Sequence, residues 1–230
     1  NIICRGRFAG ASPPFSLLKN PRRRAAAGAM GKLIAKTAAI TLACIIAVLL
    51  LLFGIFSLFV PSVMVSVTDA LGMEGPCASY SVSVYKKTGK TEDLAPAVER
   101  SYLAGHYADA AEFGLKLLAA EDFSSYCLAE DESAGTASQV LRGTSLQYYT
   151  GITAVSLYFV SDERSVDTAF GAVEGSFPEV NAVIYLAAAG MEREDTEFCR
   201  LILDRLEEAR PTGDAAAFDE FESALREFCS

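Results

Sequence analysis

The sequence predicts an all-α protein: a single N-terminal transmembrane helix, then an acidic domain of α-helical hairpins stacked in a solenoid-like way. Three observations carry this expectation. Thirty-two consecutive residues, Thr37–Thr68, hold no charge. From Thr91 onward, apolar residues recur at steps of three and four, the period of an amphipathic helix. Between the periodic stretches stand turn and capping signals, namely Gly105-His106, Thr136-x-x-Gln139 and Ser176-Phe177-Pro178-Glu179.

The uncharged run separates two ends of opposite sign. Before it stand Arg5, Arg7, Lys19, Arg22, Arg23, Arg24, Lys32 and Lys36, with no acid among them. After it come 12 Lys/Arg and 29 Asp/Glu, so the net −9 of the chain hides a −17 C-terminal part. The densest apolar stretch, Ile40–Val60, already exceeds the ~7–15 residues of a signal-peptide core. No Ala-x-Ala follows it; Thr68-Asp69-Ala70 is a poor substitute. The expectation is an uncleaved membrane helix over 33–60, ended by Pro61 and flanked by Lys32 and Lys36 at the interface. The basic flank orients it with the N-terminus cytoplasmic, in a single-pass cell-membrane topology. Residues 1–32 read as a disordered basic tail. Met30-Gly-Lys-Leu-Ile-Ala-Lys has the form of a bacterial membrane-protein start, so residues 1–29 are either upstream of the true start or a genuine tail. Ala35, Ala39, Ala43 and Ala47 share one helix face at the spacing through which membrane helices pack, which predicts homo-oligomerisation or docking on a partner helix.

Residues 61–76, with breakers Gly72, Gly75 and Pro76, read as a linker, and 77–230 as the extracytoplasmic domain. Tyr80–Tyr85 alternates polar and apolar residues, so a short strand and a helix over Cys77–Lys87 fit equally, and Thr88-Gly89-Lys90 ends either one. Thr91 is placed to cap a helix with Leu94, Val98, Tyr102 and Leu103 inward, and Pro96 sits early in it. After the Gly105-His106 turn, Ala110, Phe113, Leu117 and Leu118 mark a second helix. Thr136 opens a long helix to about Val160, striped by Leu141, Ser145, Tyr148, Ile152, Val155 and Phe159, with Gly143 and Gly151 allowing close packing. Val180–Ala189 reads as a helix buried nearly all round. Thr196–Ala209 follows, with Phe198, Leu201, Ile202 and Leu206 inward and an Arg200–Asp204 pair outward. Asp214 caps a last helix bearing Phe218, Phe221, Leu225 and Phe228. A faint repeat joins Tyr102, Tyr158 and Tyr185 to Phe113, Phe170 and Phe198, with Glu112-Phe113 and Glu197-Phe198 matching at a spacing of 85.

Gly105, Tyr107 and Ala110, followed by Leu118, give the segment from Glu92 to Glu121 a form that resembles one tetratricopeptide repeat. Val98, Leu117 and Asp122 depart from that family's small, Ala and Pro positions. The resemblance implies a right-handed solenoid of helix pairs that binds peptides or proteins in a concave groove.

The charge balance excludes nucleic-acid binding, which needs a basic face. His106 is the only histidine and sits in a turn, so neither a Ser/His/Asp nor a multi-histidine zinc centre is expected. Glu130-Asp131-Glu132 and Glu192/Glu194/Asp195 read as solvated loops. No cofactor and no enzymatic activity are expected. Cys77, Cys127, Cys199 and Cys229 are an even set in a domain outside the cytoplasm. Pairing Cys77 with Cys127 and Cys199 with Cys229 is one reading, the second missing helical register by about 6 Å. Four buried thiols are the other. The expected function is protein–protein interaction in the cell envelope, as a scaffold or accessory subunit, with Tyr107, Tyr148 and Tyr149 as groove candidates. The alternative is a ligand- or stress-sensing ectodomain acting through helix association in the membrane.

Overall fold

The computed structural model describes residues 21–134, 143–171, 180–208 and 216–230. Among them every regular element is an α-helix. The chain divides into two compact units, 1–54 and 55–230.

In the first unit, α1 begins at Pro21 and runs on to Phe59. Residues 21–32, expected as disordered tail, are therefore helical. Pro21 is pre-organised for a first turn, and the Arg and Ala residues behind it are strong helix formers. Residues 1–20 lie outside the described residues. Ile34–Phe56 is 23 residues long, apolar enough to cross a membrane, and exposed throughout. At 1.5 Å per residue it matches a hydrocarbon core of ~30 Å.

The second unit corrects the expected linker. Over 61–70 the chain forms α2, Pro61–Ala70, and α3 then covers Glu74–Thr88. Val63, Val65 and Val67 are poor helix formers, which hid α2 in the sequence. Burial decides instead: Pro61, Met64 and Thr68 turn into the domain at i, i+3 and i+7. The Thr68 hydroxyl donates to the Met64 carbonyl at 2.7 Å. These residues belong to the second compact unit, 55–230. In α3 the helical alternative wins over the strand: Ala78, Ser81 and Val82 are buried, and Gly89 takes φ 68° to end it.

Helices α4 (Thr91–Leu103) and α5 (Tyr107–Leu118) form the expected pair across Gly105, at φ 71°. Thr91 does not cap α4. Lys90 occupies that position, and the Thr91 hydroxyl donates to Asp122 at 2.5 Å. Pro96 sits a full turn in, where it removes the bond its N–H would have made to the Glu92 carbonyl. Leu103, expected inward, is 59% exposed. The acids Glu130–Glu132 lie on a helix, α6 (Phe123–Ala134), because Phe123 and Cys127 bury its i, i+4 face.

The long helix expected from Thr136 to about Val160 is interrupted at 143–144, and a helix starts at Ser145. Gly143 has φ 77° and Thr144 is extended, and Thr144 with Gln147 forms a complete capping box. The expected box at Thr136–Gln139 lies outside the described residues, as do the box at Ser176 and the cap at Asp214. From Ser145 to Phe159 this helix, α7, is the centre of the fold; Gly151 through Tyr158 are all buried. Its first half (Tyr149, Ile152) joins Leu94, Val98, Phe113, Leu117, Phe123 and Cys127 in one core cluster. Its second half (Ala154, Val155, Tyr158) joins residues of α8 (Arg164–Phe170), α9 (Val180–Glu192), α10 (Thr196–Glu208) and α11 (Ala216–Cys229) in another. Glycines set its approach to neighbours: a Cβ on Gly114 of α5 would collide with Thr153, and one on Gly151 with Tyr185 of α9. In α10, Cys199, Ile202, Leu203 and Leu206 are buried, whereas Leu201, expected inward, is 52% exposed.

Four turns share one geometry. A left-handed residue (Gly72, Gly105, Ser161, Glu194) ends a helix, and the next N–H reaches back five residues to its carbonyl. Gly72 and Gly105 are 33 residues apart, and so are Ser161 and Glu194. The second pair repeats the first after 89 residues, not after the 85 that Glu112-Phe113 and Glu197-Phe198 suggest.

Candidate functional site

The candidate site lies where the α7–α8 and α9–α10 turns converge. Ser161 and Glu194 both adopt positive φ, 60° and 55°, although neither is glycine. These strained positions fold the chain back so that Tyr158, Val166, Phe198 and Leu201 line a cleft of about 620 Å³ rimmed by Asp162, Glu163, Arg193 and Asp195. Phe198 stacks on Tyr158 with ring centroids 4.1 Å apart. The Arg193 guanidinium lies 5.4 Å over Tyr158 and 5.1 Å over Phe159, a cation–π clamp that presents a planar cation at the rim.

Asp195 organises the cleft. It accepts from the Tyr158 hydroxyl at 2.9 Å and from the Phe198 backbone N–H at 3.0 Å. The second bond caps α10, so one carboxylate fixes both aromatic walls. Burial, then the Asp195 bond, pushes the Tyr158 phenol up to about 12. Asp162 is held down to about 2, first by the side-chain bonds from Arg164 and then by the Arg164 backbone N–H. The rim thus carries fixed charges of both signs around an apolar floor, a surface suited to recognition.

The expected groove residues do not converge. Tyr107 stacks on Phe159, 4.2 Å between centroids, at the far end of α7 from Tyr148 and Tyr149. Eleven residues of helix, about 16 Å, separate the two places. Tyr148 is half-buried and donates to Glu99 at 3.0 Å. Tyr149 is 1% exposed and edges against Phe123 and Tyr126, so it is core, not groove. An interior position suits it because α7 is enclosed on every side.

Ala35, Ala39, Ala43 and Ala47 are exposed on α1. The domain cysteines are thiols. Cys77 bonds to the Val65 carbonyl and the Arg100 guanidinium, while Cys127 packs in the cluster of Phe113, Leu117 and Tyr149. That separation does not bring 77 and 127 together. Cys199 and Cys229 do come together in one core cluster, and Arg200 donates to the Cys229 carbonyl at 2.9 Å. His106 is exposed in its turn, and no metal-ligating group of three occurs among the described residues. Asp131, expected in a solvated loop, accepts from the backbone and hydroxyl of Ser145 and pins α6 to the start of α7.

Sequence reasoning missed the cleft because its turns lack glycine. The signal that could have found it was the Tyr158-Phe159-Val160-Ser161 match to Tyr102-Leu103-Ala104-Gly105, in which serine replaces the left-handed glycine. No family model matches this chain, no curated protein matches it in sequence, and no solved structure matches its fold.

Proposed function

We propose that this chain is a membrane-anchored interaction protein of the cell envelope, a scaffold or accessory subunit whose helical domain docks a protein partner. The cleft at Tyr158, Arg193, Asp195 and Phe198 carries the reading. It joins an apolar floor and the exposed Leu201 to a rim of fixed charges, the composition of an interface core and its edge. The resemblance of 92–121 to a tetratricopeptide repeat supports a peptide- or protein-binding role. Gly105 supplies its left-handed turn, and Ala110 is fully buried between the paired helices. The −17 domain favours a partner with a basic face. The basic flank of α1 supports placing this domain outside the cytoplasm.

A photo-crosslinking residue at Leu201 tests the reading in intact membranes, against the same residue at the still more exposed Leu128 of α6. The expected outcome is a discrete protein adduct from 201 that Arg193→Glu abolishes, and none from 128. Equal adduct patterns from both positions overturn it.

A further inference from the structure

Helix α2 presents three different faces. Pro61, Met64 and Thr68 are buried in the domain, and Ser62, Ser66 and Asp69 form a polar face. The third face is apolar and exposed: Val60, Val63, Val67 and Leu71 are 37%, 43%, 40% and 66% accessible. At 100° per residue these four occupy a sector of about 80°, a continuous stripe. An apolar patch of this extent marks a contact surface.

The stripe cannot turn inward. Met64 and Thr68 hold the neighbouring side of α2 in the core, and Asp69, on the polar side, is tied to Arg100 of α4 at 2.9 Å. The position of α2 in the chain identifies what covers it. The apolar span of α1 ends at Phe56, α1 itself at Phe59, and only Val60 intervenes before Pro61. Any bilayer crossed by α1 is therefore within about 23 Å of every residue of the stripe, since Phe56 to Leu71 is fifteen residues at helical rise. A second copy or another protein would have to displace lipid from that place.

We propose that the apolar face of α2 lies in the headgroup–acyl boundary of the bilayer that α1 crosses. The domain then rests on the membrane through a fixed apolar edge instead of swinging on a tether. The proposal rests on the reading of α1 as a membrane anchor. The acidic domain draws no attraction from anionic lipid, so the contact is apolar and insensitive to salt.

The test uses the full chain reconstituted in phosphatidylcholine vesicles with chain-brominated lipid as quencher. A genetically encoded fluorescent residue is placed singly at Leu49, Val67, Leu71 or Leu201, all exposed positions that tolerate it. Strong quenching is expected at 49, intermediate quenching at 67 and 71, and none at 201, unchanged between low and high salt. Quenching at 49 alone overturns the α2 contact and leaves the anchor standing. A blue-shifted but unquenched probe at 67 or 71 assigns the face to protein and overturns it equally. No quenching at 49 removes the anchor, and the α2 proposal with it.

Discussion

The Tyr158 hydroxyl donates to the Asp195 carboxylate at 2.9 Å, joining the end of α7 to the start of α10 across 37 residues of sequence. Tyr158→Phe deletes that bond and keeps the ring stacked on Phe198. We expect a loss of about 1.5–3 kcal/mol, the usual value for a bond to a charged acceptor. Asp195→Ala also removes the α10 cap and costs roughly 1 kcal/mol more. Asp195→Asn, which keeps an acceptor, falls between wild type and Asp195→Ala. Thermal unfolding of the three variants checks the order.

Alkaline unfolding reports the same site. Burial raises the Tyr158 and Tyr126 phenols to about 12, so the folded state holds protons that the unfolded state releases near pH 10. Their contribution is fully present below about pH 10 and is lost as pH rises through about 12. Stability therefore falls across that window. Tyr158→Phe makes the fall shallower by up to ~1.4 kcal/mol per pH unit. Denaturant titrations at stepped alkaline pH measure the slope; an unchanged slope refutes the assignment.

Gly114→Ala puts a methyl into Thr153 where α5 crosses α7. Thr153 is buried and its hydroxyl donates to the Tyr149 carbonyl at 2.7 Å, so it has no room to yield. Overpacking of this kind costs ~1–3 kcal/mol. Gly54→Ala meets nothing within 4 Å and serves as the neutral control. Urea midpoints of the two variants compare them directly.

Cys199 and Cys229 are the one pair of domain cysteines in contact, both in the second core cluster. Exposed to oxidised glutathione, the two thiols should join, each losing its proton to a departing glutathione thiol. Burial holds the Cys199 thiol up at about 11, which slows its attack as a thiolate. Non-reducing peptide mapping should return a 199–229 link with Cys77 and Cys127 still alkylatable. A 77–127 link contradicts the structure.

Much of the fold is legible in the chain because its information is local. The uncharged run foretells α1. Three- and four-residue stripes foretell α4, α5, α10 and α11, and Gly89 and Gly105 mark the ends of α3 and α4. These elements follow from backbone preference and from amphipathic period, both readable within a dozen residues.

Where neighbours decide, the chain alone is mute. Three valines argue against α2, yet Met64 and Thr68 find a partner in the domain and make it helical. Leu201 and Leu103 fit their stripes and still face outward, because the helices that would cover them pack elsewhere. The candidate cleft needs left-handed turns at Ser161 and Glu194, which carry no glycine to announce them. The sequence by itself determined an apolar helix, the sign of charge on either side of it, and a helical domain. Tertiary structure decided that α2 is a helix, that α7 is the centre of the domain, and that Cys199 meets Cys229. The physical reason is that burial and side-chain bonding act between residues far apart in sequence, and they outweigh the few tenths of a kcal/mol by which local propensity prefers one conformation.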